Sequence, residues 1–178
     1  TTLSVEPAKI EVDILSESHP YVEIYDGAIL LYKGESGEIE LENAKPWSVD
    51  NPYLYKCVVR TDKDCEEVKF GIRKVEIIPE QGLFVNDEKT LLRGGCIHSD
   101  NGILGTCSFK EAEYRKVKIL KEAGYNAIRC AHNPCSRYFL QACDELGMFV
   151  LDEAFDGWYI PKEYHDYSRD FNSDYKFT

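Results

Sequence analysis

Residues 126–156 read NAIRCAHNPCSRYFLQACDELGMFVLDEAFD, and their order decides the fold. NAIRC is a short apolar run, and MFVLD is another. Between them Ser136 can open a helix whose Phe139, Leu140, Cys143 and Leu146 share one side, with Gly147 as its stop. Strand, helix, strand in that spacing calls for two parallel strands joined by a crossover helix. Upstream the same grammar repeats. LLRGG at 91–95 reads as a buried strand. Ser108 then opens a helix with Glu111 three residues on, the spacing of a capping box. Ala112, Val117, Leu120 and Ala123 supply that helix's apolar face, and Gly124 ends it. Three parallel strands with helices outside are therefore expected after residue 80.

Before residue 80 the period is two. Ile10, Val12 and Ile14 alternate with Glu11 and Asp13, and YVEIY, AILLY, EIELE, LYKCVVR and EVKFGIRKVEII follow. Gly27, Gly34, Gly37, Asn51-Pro52 and Asp62 to Asp64 punctuate them as turns. Strands spaced so closely, with no helical pattern between them, suggest an antiparallel sandwich of immunoglobulin type. LFV, then Asn86-Asp87, then EKTLL reads as a hairpin that leads into the second half. The division expected is 1–80 for the sandwich and 81–178 for the α/β part. Residues 157–178 read as a long aromatic and polar loop that begins another helix near Ser168.

Composition narrows the function classes. The 178 residues are 43% hydrophobic and 12% aromatic, enough to bury a core. Net charge is -11, with the acids scattered, which argues against nucleic acid and is neutral toward uncharged sugars. No apolar run is long enough for a membrane span, and TTLSVEPAKI lacks the pattern of a signal peptide. The seven cysteines include no CxxC, which favours reduced structural thiols, a cytoplasmic compartment and no metal site.

Polar residues collect just beyond the three strands: His98, Asp100 and Asn101, then Arg129, His132 and Asn133, then Asp152, Glu153, Asp156 and Trp158. Ligands of parallel α/β folds bind at that end, where the loops converge. Each residue also has a plainer role. Either histidine can be a structural hydrogen-bonding group, Trp158 can be core, and Arg129 can pair with Asp152 or Glu153 to hold the strand ends. Asp152 and Glu153 are neighbours on a strand and face opposite ways, so both are not expected to address one bond.

LLRGGCIHSDNGILG, KEAGYNAIRCAHNP and CDELGMFVLDEAFDGW, in this order, resemble the opening of the (β/α)8 TIM barrel of family 2 glycoside hydrolases. PWSVDNPYLYKCVV and FGIRKVEI resemble the end of that family's immunoglobulin-like domain. The resemblance implies a multi-domain chain, a β-sandwich followed by about three strands of a barrel, from a retaining β-galactosidase-like or β-glucuronidase-like enzyme acting on a β-glycoside. It matches His98 to a histidine of the sugar subsite, and Arg129 to an arginine bracing the region of the catalytic carboxylates. His132 matches a sugar-contacting histidine, Asp152 and Glu153 match the Asp-Glu pair of strand three, and Asp156 falls near the substrate. Asp100 and Asn101 fall where members differ and would help select the sugar. Some β-galactosidases of the family hold magnesium through a Glu and a His after strand three. Here that stretch is AFDGW, so neither metal nor other cofactor is expected.

The family's acid/base is the Glu of an Asn-Glu pair after strand four, and its nucleophile follows strand seven. No Asn-Glu occurs in this sequence. The expectation is a truncated barrel, inactive alone, whose open sheet edge favours self-association. Two rivals are a non-catalytic carbohydrate-binding or scaffolding module, and a metal-dependent hydrolase using His98, His132 and Asp156.

Overall fold

The structure is a computed structural model that describes residues 1–15, 20–156, 161 and 163–165. Seven strands build the first half: β1 (Thr2–Val5), β2 (Ala8–Val12), β3 (Tyr21–Asp26), β4 (Ile29–Gly34), β5 (Gly37–Leu41), β6 (Tyr55–Arg60) and β7 (Cys65–Phe70). They form two antiparallel sheets, β1-β2-β5 and β4-β3-β6-β7. Ala8, Ile10, Ile39 and Leu41 from one sheet meet Val22, Ile24, Tyr55 and Cys57 from the other, closing the core of an immunoglobulin-like sandwich. The alternation read from the sequence sets these inward faces. β1 is an addition that the sequence pattern did not signal.

Among the described residues of the sandwich, one charged residue is buried against the rule. Glu23 on β3 is only 6% exposed. It accepts hydrogen bonds from Lys33 Nζ at 2.8 Å, Tyr25 Oη at 3.0 Å and Arg60 Nε at 3.2 Å. These donors, Lys33 foremost, hold its pKa down at about 2. The folded form is thus stabilised above the unfolded pKa of about 4.3, and the stabilisation fades as pH falls toward 2. Thermal unfolding of wild type and Glu23→Gln across this range should show the two midpoints converging as the solution is acidified. A gap that stays constant from pH 6 to 2.5 would contradict this account.

A small antiparallel meander links the halves: β8 (Val75–Ile78), β9 (Gly82–Val85) and β10 (Glu88–Lys89). Asn86 and Asp87 turn the expected hairpin with φ 51° and 65°, the paired left-handed geometry of a tight hairpin turn.

The second half holds β11 (Gly94–Ile97), a short 3-10 turn (Gly102–Leu104), α1 (Lys110–Glu122), β12 (Ala127–Cys130), α2 (Arg137–Leu146) and β13 (Phe149–Asp152). β11, β12 and β13 are parallel and adjacent in that order, as the sequence pattern requires. Val117, Phe139, Ala142 and Cys143 of the helices pack on Ile128 and Cys130 of the sheet. Ser136 caps α2 by accepting the Phe139 N–H at 3.1 Å, and Gly147 ends it in the left-handed region.

Two expectations shift. The strand expected at 91–95 runs instead over Gly94–Ile97, and Leu91 and Leu92 are 70% and 56% exposed. The glycines are the reason. A Cβ at Gly94 would overlap the Ala127 carbonyl, so the close approach of β11 to β12 starts where the side chains stop. The cap of α1 is Phe109 rather than Ser108, without a side-chain hydrogen bond. Glu111 therefore falls one position short of a capping box. The helix expected near Ser168 lies outside the described residues.

The halves meet through Trp47, which is 1% exposed. Its indole Nε1 donates to the Asp144 carbonyl at 2.8 Å, its ring stacks edge-on to Phe149 at 5.5 Å, and Arg73 lies over its face at 4.4 Å. Asn86 Nδ2 donates to the Trp47 carbonyl at 3.0 Å, and Lys121 Nζ donates to both Val49 and Gly147 carbonyls at 2.8 Å.

Candidate functional site

Strand register fixes which residues share a face. Cys96, Arg129 and Leu151 lie level on the three parallel strands, and Ile97, Cys130 and Asp152 lie level one residue further on. Ile97, Ile128, Cys130 and Val150 pack in the core beneath the helices. Arg129 therefore stands on the other face, which becomes the interior of a barrel in a fold of this type.

There Arg129 and Glu153 form the centre of a knot. Arg129 Nε donates to Glu153 Oε1 at 2.6 Å, and its Nη2 pairs with the same oxygen. Its Nη1 donates to Cys96 Sγ at 3.2 Å. The other carboxylate oxygen of Glu153 accepts the backbone N–H of His132 at 2.6 Å. The His132 N–H, followed by the Arg129 guanidinium, holds the Glu153 carboxyl below the usual carboxylate range. A carboxylate so committed is a brace, since an acid for protonating a leaving group needs its pKa raised.

The knot also sets a strained backbone. His132 adopts φ 78°, the left-handed region that non-glycine residues rarely enter. Such strain persists where neighbours over-determine it, and here Glu153 holds the N–H in place. The imidazole stacks on His98, with ring centroids 5.3 Å apart and planes at 27°. Its Nδ1 lies 3.6 Å from Asp156 Oδ1. Asn133 Nδ2 donates to Ser99 Oγ at 2.9 Å, tying the loop after β12 to the loop after β11. His98, Arg129, His132, Glu153 and Asp156 are thus joined into one polar cluster at one end of the sheet.

The remaining expected residues go elsewhere. Asp152 Oδ1 accepts the Cys135 N–H at 3.0 Å, beside the thiols of Cys130 and Cys135. This is the opposite facing from Glu153 that strand parity demanded. Asp100 Oδ1 accepts the Gly102 N–H at 2.8 Å and so shapes the 3-10 turn. Asn101 Nδ2 donates to Glu113 Oε1 and to the Cys107 carbonyl, both at 3.0 Å. Trp158 lies outside the described residues. Cys130 and Cys135, read from the sequence as structural thiols, are brought together with Asp152, and their spacing around His132 gave no sign of it.

The family model for glycosyl hydrolases family 2, TIM barrel domain, matches residues 75–172, and that for glycosyl hydrolases family 2 matches residues 3–73. The chain belongs to glycoside hydrolase family 2. It is 38% identical over 140 residues to a β-galactosidase of Bacteroides ovatus, an alignment covering 76% of this chain and 16% of that enzyme. The solved structure of a family 2 member from Bacteroides cellulosilyticus superposes with a TM-score of 0.73 at 36% identity, over 94% of this chain and 23% of that one. That of a β-D-glucuronidase from Dictyoglomus thermophilum gives 0.75 at 29% identity, over 83% and 27%. This family 2 chain thus spans about a sixth to a quarter of the length of these relatives. Its sandwich and its three parallel strands are the family's β domain and the start of its barrel. No helix among its described residues is long and apolar enough to cross a membrane.

Proposed function

We propose that this chain is a section of a retaining β-glycosidase, for a β-galactoside or β-glucuronide, and forms part of the sugar-binding floor. The observation that carries the reading is the doubly engaged Glu153. The carboxylate at the centre of the strand ends is committed to Arg129 and the His132 N–H, leaving it to position rather than to transfer protons. His98, His132, Asp156 and Arg129 would orient hydroxyls, Trp158 would offer a stacking face, and Asp100 would act through the turn it shapes. Retaining hydrolysis needs a pair of carboxyls, about 5–5.5 Å apart, one protonating the leaving oxygen and one attacking the anomeric carbon. Under this proposal both belong to other parts of the enzyme.

The division proposed is 1–80 and 81–178, supported by the two family matches meeting between residues 73 and 75. A cytoplasmic setting suits the seven free thiols. Self-association is proposed through the edges of the parallel sheet, where Leu151 of β13 is exposed and Leu92 lies exposed just before β11. Sedimentation of the chain at rising concentration should show growing mass, and a monomer throughout would remove that part.

The catalytic proposal has its own test. The pure 178-residue chain, offered nitrophenyl β-galactoside and β-glucuronide, should release no nitrophenol above the buffer rate. Turnover that survives purification and is lost in Glu153→Gln would show that the bond-breaking groups lie within this chain.

A further inference from the structure

On the helix side of the parallel sheet, away from Arg129 and Glu153, three metal-ligating side chains converge. Cys130 ends β12 and is buried, Cys135 is half-buried just before the cap of α2, and Asp152 ends β13. Their donor atoms all lie within 4.8 Å of one another, the one such group of three among the described residues. His98, His132 and Asp156 do not form such a group, which weighs against the metal-hydrolase rival. A cleft of 230 Å³ opens beside the two thiols, lined also by His98, Ser99, Glu113 and Lys116.

We propose that Cys130, Cys135 and Asp152 bind a single thiophilic divalent cation of the zinc class, with water from the cleft as fourth ligand. Two sulfurs and a carboxylate oxygen suit such an ion, and three protein ligands with an open position are a known stoichiometry for it. Zinc–ligand bonds of about 2.0–2.3 Å place neighbouring donors roughly 3.5–3.8 Å apart in a tetrahedron. Closing the present cluster requires movement of only about 1 Å. Binding converts two thiols to thiolates and releases two protons to solvent, so affinity rises with pH. Burial and the adjacent carboxylate push both thiols up without a cation, and a bound cation reverses that balance. Lys116 and Glu113, paired at 3.1 Å, line the same cleft and together add no net charge to it.

The site would brace the loop 131–134, whose two ends the cysteines occupy. It does not rest on the sugar-site reading, because none of its three ligands is among His98, Arg129, His132, Glu153 and Asp156.

Cobalt(II) is the probe. The reduced chain, with exposed Cys65, Cys96 and Cys107 changed to serine, is titrated anaerobically. A thiolate-to-cobalt absorption should saturate at one equivalent and be displaced by zinc. Asp152→Asn and Cys135→Ser should each weaken binding, the latter by more than the 10–100-fold typical of losing an outer partner. In the wild-type chain, zinc should slow alkylation of Cys135 by iodoacetamide while leaving Cys65 unaffected; this readout needs no variant to fold. Absence of the absorption, its persistence in Cys135→Ser, or unchanged alkylation of Cys135 with zinc would overturn the proposal. So would formation of a Cys130–Cys135 disulfide without metal uptake.

Discussion

Trp47→Ala should cost this chain about 3–5 kcal/mol, the usual range for removing a large buried aromatic residue. The indole is buried between the sandwich and the α/β half, and three separate contacts end together when it goes. They are the hydrogen bond to the Asp144 carbonyl, the edge contact with Phe149 and the stacking of Arg73. On one side the pocket is walled by backbone, which cannot move in to fill the vacated volume. Gly71 approaches so closely that a Cβ there would sit 2.7 Å from Trp47 Cβ. With domains stable by only about 5–15 kcal/mol, the loss is a large share of the total. Urea unfolding followed by circular dichroism should give a lower midpoint and two resolved transitions, as each half unfolds by itself. Trp47→Phe keeps most of the packing and loses the indole donor, so about 1–2 kcal/mol is expected. A loss below 1 kcal/mol for the alanine variant would mean that the halves do not stabilise each other through this residue.

The second large effect concerns catalysis in the β-glycosidase of which this chain is proposed to be a section. Arg129→Ala should lower kcat/KM about 100-fold, the scale of a displacement near 1 Å at a reacting centre. Under the proposed function Arg129 would be a positioning residue that works through Glu153, whose carboxylate in turn accepts the His132 N–H. Without the guanidinium the carboxylate loses its main side-chain partner, and the strained His132 can relax out of its left-handed conformation. Arg129→Lys restores a positive charge but not the fork that reaches Glu153 and Cys96 together. It should recover thermal stability while recovering less than a tenth of the lost activity. In the isolated chain, either variant should speed hydrogen exchange at the His132 amide. If Arg129→Lys restores full activity, the arginine supplies charge alone and the geometric account is wrong.

Much of this fold was legible because its signals are local. The two-residue alternation at 10–14 placed the sandwich face of β2, and Ser136 with Gly147 bounded α2 almost to the residue. Strand parity separated Asp152 from Glu153, and the structure places their carboxylates in different clusters. What stayed hidden depends on distance along the chain. Nothing near Trp47 announces a partner 97 residues away. Cys130 and Cys135 show no metal spacing until β13 brings Asp152 beside them. The misplaced start of β11 has another cause. Leu91 and Leu92 look like core, yet the glycines after them decide where two backbones can touch. Which sheet face holds Arg129 follows from register, which a single strand read alone does not contain.

The contacts around Trp47 also limit how such enzymes can exchange parts. A recombination point near residue 80 looks natural from the change in hydrophobic period, but it would separate Trp47 from Asp144 and Phe149. It would equally part Lys121 and Gly147 from the Val49 carbonyl they crowd. A sandwich taken from one parent and a barrel opening from another would meet with mismatched surfaces. Chimeras that inherit 45–51 and 144–149 from the same parent should outlive those that do not. In such an exchange the unit to be kept whole is the joint, more than either half beside it.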